Sequence, residues 1–270
     1  MAAVAELIRP DMNVVSDQQI NEARSRLIVA LDFDTIDEAR ALVKTLGDEV
    51  EFYKIGLGLQ LADGGAFARQ LKGLGKKVFL DYKYHDIGNT IENAVRRAAE
   101  LEIDFLTVHG TSSILECAVR GKGESKLKLF FVTVLTNMDA KDLEEMGYPL
   151  NTKVKDIVVH RAKKALEAGI DGVIASGVEA AAIKAVAGGR LMVISPGIRP
   201  DGSPVDDQKR VMTPREAIES GADYLVIGRP ILNAESPKEA ARAIVREMAE
   251  ALAEGINAAS TPSTGMTPDA

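Results

Sequence analysis

Short apolar segments alternate with amphipathic segments along almost the whole chain, and this alternation restricts the possible fold more than any other feature. Strand-like segments lie at residues 27–32, 50–55, 77–82, 104–108, 128–135, 171–175, 190–195 and 223–227. Helix-like segments follow them at residues 35–46, 59–74, 89–101, 111–120, 153–168, 178–187, 213–220 and 236–253. Each connection is long enough to return the chain to the start of a parallel neighbour. The alternation therefore predicts a parallel sheet of the α/β class.

We predict that the eight units close into a (β/α)8 TIM barrel, which chains of about 250 residues form as a single domain. The run 129–135 is apolar almost throughout, as expected of a strand buried on both faces. No GxGxxG motif follows the first strand, which argues against a dinucleotide-binding sheet. The catalytic barrel is then predicted at residues 25–254, with an N-terminal extension at 1–24 and a disordered tail at 255–270.

The charge balance and the content of cysteine and histidine argue against several classes of protein. The net charge of −7 and the pI near 5.2 disfavour nucleic acid or a membrane surface as the main partner. The N-terminus lacks the features of a signal peptide and no apolar run is long enough to span a membrane, so we expect a cytoplasmic protein. Cys117 is the single cysteine and cannot form an internal disulfide. The three histidines have no close spacing, and we predict no metal site.

Charged residues follow three of the predicted strands. Asp81 and Lys83 come after the strand-like run 77–80 with a spacing of two, so their side chains point to the same side. Lys54 ends the preceding strand and Asp32 ends the first. In a parallel barrel these ends share one rim, where the active sites of such barrels lie. Each residue alone would be an ordinary charge facing solvent, but together they predict a polar catalytic array.

The segments after strands seven and eight have the features of a phosphate site. Residues 196–200 (Pro-Gly-Ile-Arg-Pro) follow the seventh strand, and Gly228 and Arg229 follow the eighth. Glycine lets backbone N–H groups approach an anion, and arginine offers two parallel donors. Loops at these two positions commonly bind phosphate in TIM barrels. We therefore predict phosphate contacts from Arg199 and Arg229, with Gln208 of the long following loop as an added donor.

Five segments together resemble the orotidine 5′-monophosphate decarboxylase family. The most characteristic is residues 81–90, Asp-Tyr-Lys-Tyr-His-Asp-Ile-Gly-Asn-Thr. The others are residues 30–32, 132–136, 196–200 and 226–230. The resemblance covers roughly residues 26–252, in order and with the spacing of a barrel. The Asp-x-Lys-x-x-Asp motif also has relatives in sugar-phosphate decarboxylases of the same superfamily, and the phosphate loop is the more specific signal.

Two departures from the family pattern lie in the most characteristic segment. The family usually has proline where Gly88 stands, and leucine and phenylalanine where Tyr82 and Tyr84 stand. Glycine lacks the rigid φ angle of proline, so we expect a looser turn between Asp86 and the following helix. Neither departure touches Lys83.

The resemblance implies the conversion of orotidine 5′-monophosphate to uridine 5′-monophosphate and CO2, the last step of de novo pyrimidine nucleotide synthesis, without a metal or an organic cofactor. Loss of CO2 leaves a carbanion at a carbon with no neighbouring carbonyl to delocalise the charge. A fixed ammonium group stabilises this charge and then donates a proton. By resemblance Lys83 has this role, and the carboxylates of Asp81 and Asp86 keep it charged. Asp81 would lie beside the departing carboxylate.

The resemblance also implies how the substrate is bound. Asp32 and Lys54 would bind the ribose hydroxyls, and Thr136 would contact the ligand. The 5′-phosphate would be held by Arg199, Gln208, Gly228 and Arg229. An apolar wall around the departing CO2, or else ordinary packing, is predicted for Ile87, Leu135 and Pro196.

The resemblance further implies a homodimer, because Asp86 and Thr90 of one subunit would reach the active site of the other. Two alternatives to the decarboxylase remain open. One is another sugar-phosphate lyase or epimerase on the same barrel, which would usually need a metal ligand set or a different phosphate loop. The other is a non-catalytic nucleotide-binding protein, which the array of lysines and aspartates disfavours.

Overall fold

The computed structural model describes residues 15–204 and 210–260, with side chains as far as residue 255. Eight parallel strands pair in chain order, and the last pairs with the first, so the sheet closes into a barrel. The predicted (β/α)8 TIM barrel is confirmed. The strands are β1 Leu27–Ala30, β2 Phe52–Ile55, β3 Lys77–Tyr84, β4 Phe105–Val108, β5 Lys128–Val132, β6 Gly172–Ile174, β7 Met192–Ser195 and β8 Tyr224–Ile227.

Helices surround the barrel and connect its strands. They are α1 Asp17–Arg26, α2 Ile36–Leu46, α3 Leu57–Gln60, α4 Gly64–Gly73, α5 Gly88–Glu100, α6 Ser112–Lys122, α7 Ala140–Glu145, α8 Val154–Glu167, α9 Gly177–Ala187, α10 Pro214–Glu219, α11 Arg229–Leu232 and α12 Pro237–Ser260. Every predicted strand has its counterpart within a few residues. In the part of the chain that the structure describes, no helix is both long and apolar enough to cross a membrane.

The two faces of each strand bury different clusters. Residues such as Leu27 and Val29 point outward and join the large core between strands and helices. Ile28 and Ala30 alternate with them and point into the barrel, where they meet residues of the other strands. The interior cluster consists of Ile28, Ala30, Phe52, Phe79, Phe105, Phe130, Ile194 and Val226. Aromatic rings therefore fill the middle of the barrel, with 4.6 Å between the ring centres of Phe105 and Phe130.

The structure differs from the sequence prediction in three connections. The predicted helix 59–74 is two helices, because Asp63 adopts a left-handed conformation (φ 67°) and its carboxylate caps α4 by accepting from Ala66 N–H. Helix α7 was not predicted, although Asp139 and Asp142 form a capping box at its start. The short helix α11 after β8 was not predicted either.

Both predicted terminal segments contain helix. Helix α1 lies within the predicted extension 1–24 and the two residues after it, and it packs against α12. Helix α12 continues to Ser260, past residue 254 where the barrel was predicted to end. Residues 1–14 and 261–270 lie outside the described residues, so the division into extension, domain and tail stays a prediction.

Candidate active site

The inward faces of the strands change from apolar to charged at the carboxyl rim of the barrel. In β3 the inward series runs Phe79, Asp81, Lys83, and in β2 it runs Phe52, Lys54. The rings of Phe52 and Phe79 are buried, and the charged groups come two residues later on the same face. Period-2 alternation therefore places the charges directly above an apolar layer, at the rim where barrel enzymes carry their active sites.

Two lysines and two aspartates form an alternating row of charge at this rim. Lys54 Nζ donates to Asp32 Oδ1 at 2.9 Å and lies 3.8 Å from Asp81 Oδ2. Lys83 Nζ donates to the other oxygen, Asp81 Oδ1, at 2.9 Å. Asp81 is thus shared by the two ammonium groups. We call these four residues the charged row.

Asp81 is held in its ionised form by its neighbours. Burial alone would raise the pKa of Asp81, whereas the charges of Lys54 and Lys83 lower it. Hydrogen bonds from Lys83 and from the Thr107 hydroxyl, at 3.0 Å, lower the pKa further, and the net result lies below the usual value. A negative charge is therefore fixed at the centre of the charged row.

The backbone at Lys83 has an unusual conformation. Its φ is 48°, in the left-handed region that residues other than glycine rarely adopt. The pairing of β3 with β4 shifts register between Leu80 and Tyr84, and Lys83 lies inside this irregularity. Its N–H donates to Thr107 Oγ1 at 2.8 Å, and the same hydroxyl donates to Asp81. Thr107 of the neighbouring strand therefore orients both members of the ion pair.

The charged row lines a cavity of about 680 Å3 that opens at the carboxyl rim. Arg199 and Arg229 line the same cavity, from the segments after β7 and β8. In a closed barrel of eight strands, β7 lies opposite β3. Arg199 is buried, and its Nε donates to the Pro204 carbonyl at 2.8 Å. A ligand in this cavity would meet a lysine on one side and guanidinium groups on the other.

The structure brings most of the predicted site residues together in this cavity. The lining includes Asp32, Lys54, Asp81, Lys83, Leu135, Thr136, Pro196, Arg199, Gly228 and Arg229. Asp86, Ile87 and Thr90 do not line it; they are exposed at the start of α5. Asp86 Oδ1 accepts from the N–H of Ile87 at 2.6 Å. Gln208 lies outside the described residues.

Comparison with known proteins identifies the relatives of this chain. The family model described as "Orotidine 5′-phosphate decarboxylase / HUMPS family" matches residues 25–244. The chain belongs to this family. An orotidine 5′-phosphate decarboxylase of Nitrobacter winogradskyi is 59% identical over 230 residues, which cover 85% of this chain and 95% of that protein. One from Caulobacter sp. is 50% identical over 227 residues, covering 84% and 98%.

A solved structure agrees with the family assignment. The crystal structure of orotidine 5′-phosphate decarboxylase from Lactobacillus acidophilus superposes with a TM-score of 0.72 at 35% identity. The match covers 82% of this chain and 98% of that one. Sequence and fold therefore point to the same family.

The structure explains why glycine stands where the family usually has proline. A Cβ atom at Gly88 would lie 2.6 Å from Sγ of Cys117, which belongs to the neighbouring helix α6. Proline also carries a Cβ atom, so proline at 88 would require this thiol to move. Gly88 and Cys117 are therefore matched in size at the contact between α5 and α6.

Several cavity residues were missed by the sequence analysis. Phe33, Asn137 and Asn233 line the cavity beside the predicted residues. Asn137 directly follows Thr136, so its position in the chain was a usable signal. Gly56 was also missed; a Cβ atom there would lie 3.0 Å from Lys54 Nζ and 3.1 Å from Asp32 Oδ1. Glycine keeps that side of the ion pair free of a side chain.

The histidines do not join the charged row. His109 follows β4 and lies beside His85, with 4.9 Å between the ring centres. Burial, the nearby Arg161 guanidinium and His85 together lower the pKa of His109 to about 4. Within residues 15–204 and 210–255, no three His, Cys, Asp or Glu side chains meet as potential metal ligands.

Proposed function

We propose that this chain converts orotidine 5′-monophosphate to uridine 5′-monophosphate and CO2, with Lys83 as the residue that stabilises and protonates the reacting carbon. The observation that carries the proposal is the cavity itself. The charged row lies on the β3 side and two arginines lie on the β7 and β8 side of one pocket. A nucleotide whose base faces Lys83 and whose phosphate faces Arg199 and Arg229 would match the chemistry at both ends of this cavity.

The chemistry requires a cation beside the reacting carbon. When the bond from C6 to the carboxylate breaks, its electron pair stays on C6 and CO2 leaves. The ammonium group of Lys83 stabilises this pair and donates a proton to C6, and the neutral amine then regains a proton from solvent. Asp81 accepts from Lys83 at 2.9 Å, which orients the ammonium group before the substrate binds. Preorganised charge of this kind avoids reorganisation during the reaction.

Asp81 also has a second effect in this proposal. Its carboxylate would face the substrate carboxylate that is lost, and the repulsion between the two would end when CO2 leaves. The pKa of Asp81 lies below the usual value because of Lys54 and Lys83, despite burial, so the negative charge persists in neutral solution.

The remaining predicted contacts complete the binding of the substrate. Asp32 and Lys54 would bind the ribose hydroxyls, and Thr136 would contact the base or the ribose. Arg199, Arg229 and the backbone of Gly228 would bind the 5′-phosphate, with Gln208 as a further donor. Binding energy from this distant group can then be used to order the reacting groups.

The functional unit in this proposal is a homodimer. Asp86 and Thr90 lie outside the cavity of their own chain, which agrees with a role in the site of a second subunit. Large apolar side chains in the segments after β2 and β3 are exposed: Leu61 by 96% and Ile87 by 72%. Exposed apolar groups on one rim favour a contact with a second copy. A cytoplasmic location and independence from cofactors belong to the same proposal.

The test is an absorbance assay with orotidine 5′-monophosphate, with and without a chelator, and with chromatographic detection of uridine 5′-monophosphate. Turnover that resists the chelator supports the proposal. Chelator-sensitive turnover of a different sugar phosphate would favour another lyase or epimerase instead. Binding of the nucleotide without turnover would reduce the chain to a nucleotide-binding protein.

A further inference from the structure

Arg210 lies where the chain returns from the loop after β7, and its guanidinium group joins two other segments of the carboxyl rim. Nη1 donates to Oε1 of Glu179 in the first turn of α9, at 2.6 Å. Nη2 donates to the carbonyl of Leu135 in the loop after β5, at 2.9 Å. The side chain of Arg210 is 15% exposed, and it does not line the active-site cavity. Arg210 can therefore affect the site only through the residues to which it is hydrogen-bonded.

Glu179 fixes the orientation of this arginine. Its side chain is 5% exposed, and Arg210 is its one ion-pair partner among the residues that the structure describes. A buried carboxylate is costly unless a cation compensates it. The Glu179 carboxylate thus holds Nη1 of the guanidinium group in place, and Nη2 is directed at the Leu135 carbonyl.

The backbone around Arg210 is also attached to the cavity. The Ser176 hydroxyl donates to the Arg210 carbonyl at 3.4 Å. Two residues later, the Met212 carbonyl accepts from the N–H of Arg199, which lines the cavity, at 2.9 Å. Gly177 permits this packing, since a Cβ atom there would lie 2.8 Å from the Met212 sulfur.

Two walls of the cavity meet at this point. The wall after β5 consists of residues 134–137, and Arg210 binds the Leu135 carbonyl within it. The wall after β7 includes Arg199. Its backbone N–H is hydrogen-bonded to Met212, two residues after Arg210, beside the bridge between Ile198 and Met212. The two walls have no shared strand contact, because β5 and β7 are separated by β6.

We propose that Arg210 is a positioning residue for the decarboxylation: anchored by Glu179, it sets the distance between the wall at 134–137 and Arg199. This inference rests on the proposed function. Without the arginine, the Leu135 carbonyl keeps the N–H of Met138 in its own loop as a donor but loses its link to Arg210. The two walls are then free to shift relative to each other. Small displacements of groups that hold a substrate reduce catalysis strongly.

The test compares three variants in kcat, in KM for orotidine 5′-monophosphate and in thermal midpoint. Arg210→Met keeps the apolar stem and removes both donors, and we expect kcat/KM to fall about tenfold or more. Arg210→Lys keeps one donor and should recover part of the loss. The double variant Glu179→Met with Arg210→Met also removes the buried carboxylate that Arg210→Met leaves uncompensated. Its thermal midpoint should therefore be higher than that of Arg210→Met, whereas its kcat/KM should stay as low.

The matched control is Lys122→Met at the opposite rim. Lys122 pairs with Asp171 at 2.7 Å, and their side chains are 19% and 22% exposed, so a similar ion pair is lost far from the cavity. We expect a lower thermal midpoint with unchanged kcat and KM.

Two results would overturn the inference. The first is an Arg210→Met variant whose kcat/KM is as little affected as that of Lys122→Met. The second is a double variant in which kcat/KM recovers together with thermal midpoint, since Arg210 would then contribute only to folding. If the unmodified chain shows no turnover, the proposed function fails instead, and the two failures are distinguishable.

Discussion

The two rims of the barrel carry the same kinds of ion pair and use them differently. At the amino rim, three aspartates that precede β4, β6 and β8 each accept from a lysine of a surrounding helix and from a backbone N–H of the preceding strand. The aspartate, lysine and backbone donor are Asp104, Lys72 and Val78; Asp171, Lys122 and Leu129; and Asp223, Lys184 and Val193. These carboxylates therefore join strands to helices.

At the carboxyl rim, the lysines and aspartates of the charged row pair with one another and face a cavity. Asp81 accepts from Lys83 and from the Thr107 hydroxyl, with Lys54 close by. The two rims thus differ in the groups that bind their carboxylates. A carboxylate bonded to strand backbone stabilises the fold, whereas one bonded to lysines at an open cavity is available for chemistry.

The sharpest test of this contrast removes one lysine from each rim. Lys83→Ala should lower kcat by about 10⁴-fold or more, because the variant loses both the cation and the proton donor. Binding of uridine 5′-monophosphate, measured by calorimetry, should remain. Lys72→Ala is the matched control, since Lys72 pairs with Asp104 at the same distance of 2.9 Å. Near-normal turnover by Lys83→Ala would remove this residue from the mechanism.

The second prediction concerns the phosphate end of the cavity. Arg229→Ala should raise KM for the substrate by about 10- to 100-fold, because a charge-assisted contact remote from the reacting carbon is lost. The loss should be much smaller for binding of uridine, which lacks the phosphate. Steady-state kinetics and calorimetry provide the two values. An unchanged KM would place the phosphate elsewhere.

The third prediction concerns the amino rim, where a substitution should affect stability and not catalysis. Asp171→Ala at the amino rim should lower the free energy of unfolding by about 1–3 kcal/mol, because the N–H of Leu129 and the ammonium of Lys122 lose their acceptor. kcat and KM should not change. Asp171→Asn keeps an acceptor oxygen and should recover part of the stability in urea unfolding. A kinetic defect in either variant would mean that the two rims are not independent.

The smallest effect is expected from His109, a polar group at the carboxyl rim that stands apart from the charged row. Its pKa is lowered from the ordinary 6.5 to about 4 by burial, by Arg161 and by His85. The unfolded chain therefore binds a proton more readily, and stability from this group, fully present above pH 6.5, is lost as the pH falls toward 4. His109→Gln should flatten the decline of thermal midpoint over that window. An unaltered slope would assign the decline to other groups.

The barrel and most of its site could be predicted because both depend on local sequence. Apolar runs indicate strands buried on both faces, and the residues two positions further along the inward face become the charged row. The division of the helix at Asp63 depended on a left-handed backbone, for which Asp63-Gly64-Gly65 was an available signal. The capping box of Asp139 and Asp142 was a comparable signal for α7.

Other features depend on contacts between distant segments and had no local signal. The guanidinium group of Arg210 binds residues 31 and 75 positions away in the chain. The space that Gly88 leaves is filled by Cys117 of the next helix. Such matches depend on how the helices and loops pack, and no period or motif in the sequence encodes them.

The left-handed backbone of Lys83 has a consequence for anyone who engineers this protein. A side chain other than glycine in that region costs about 1 kcal/mol or more. Glycine at position 83 should therefore give a more stable barrel than alanine there, and selection for thermostability alone would favour the loss of the amine. The most strained position of the β3 strand is thus the one that a stability-guided library should leave unchanged.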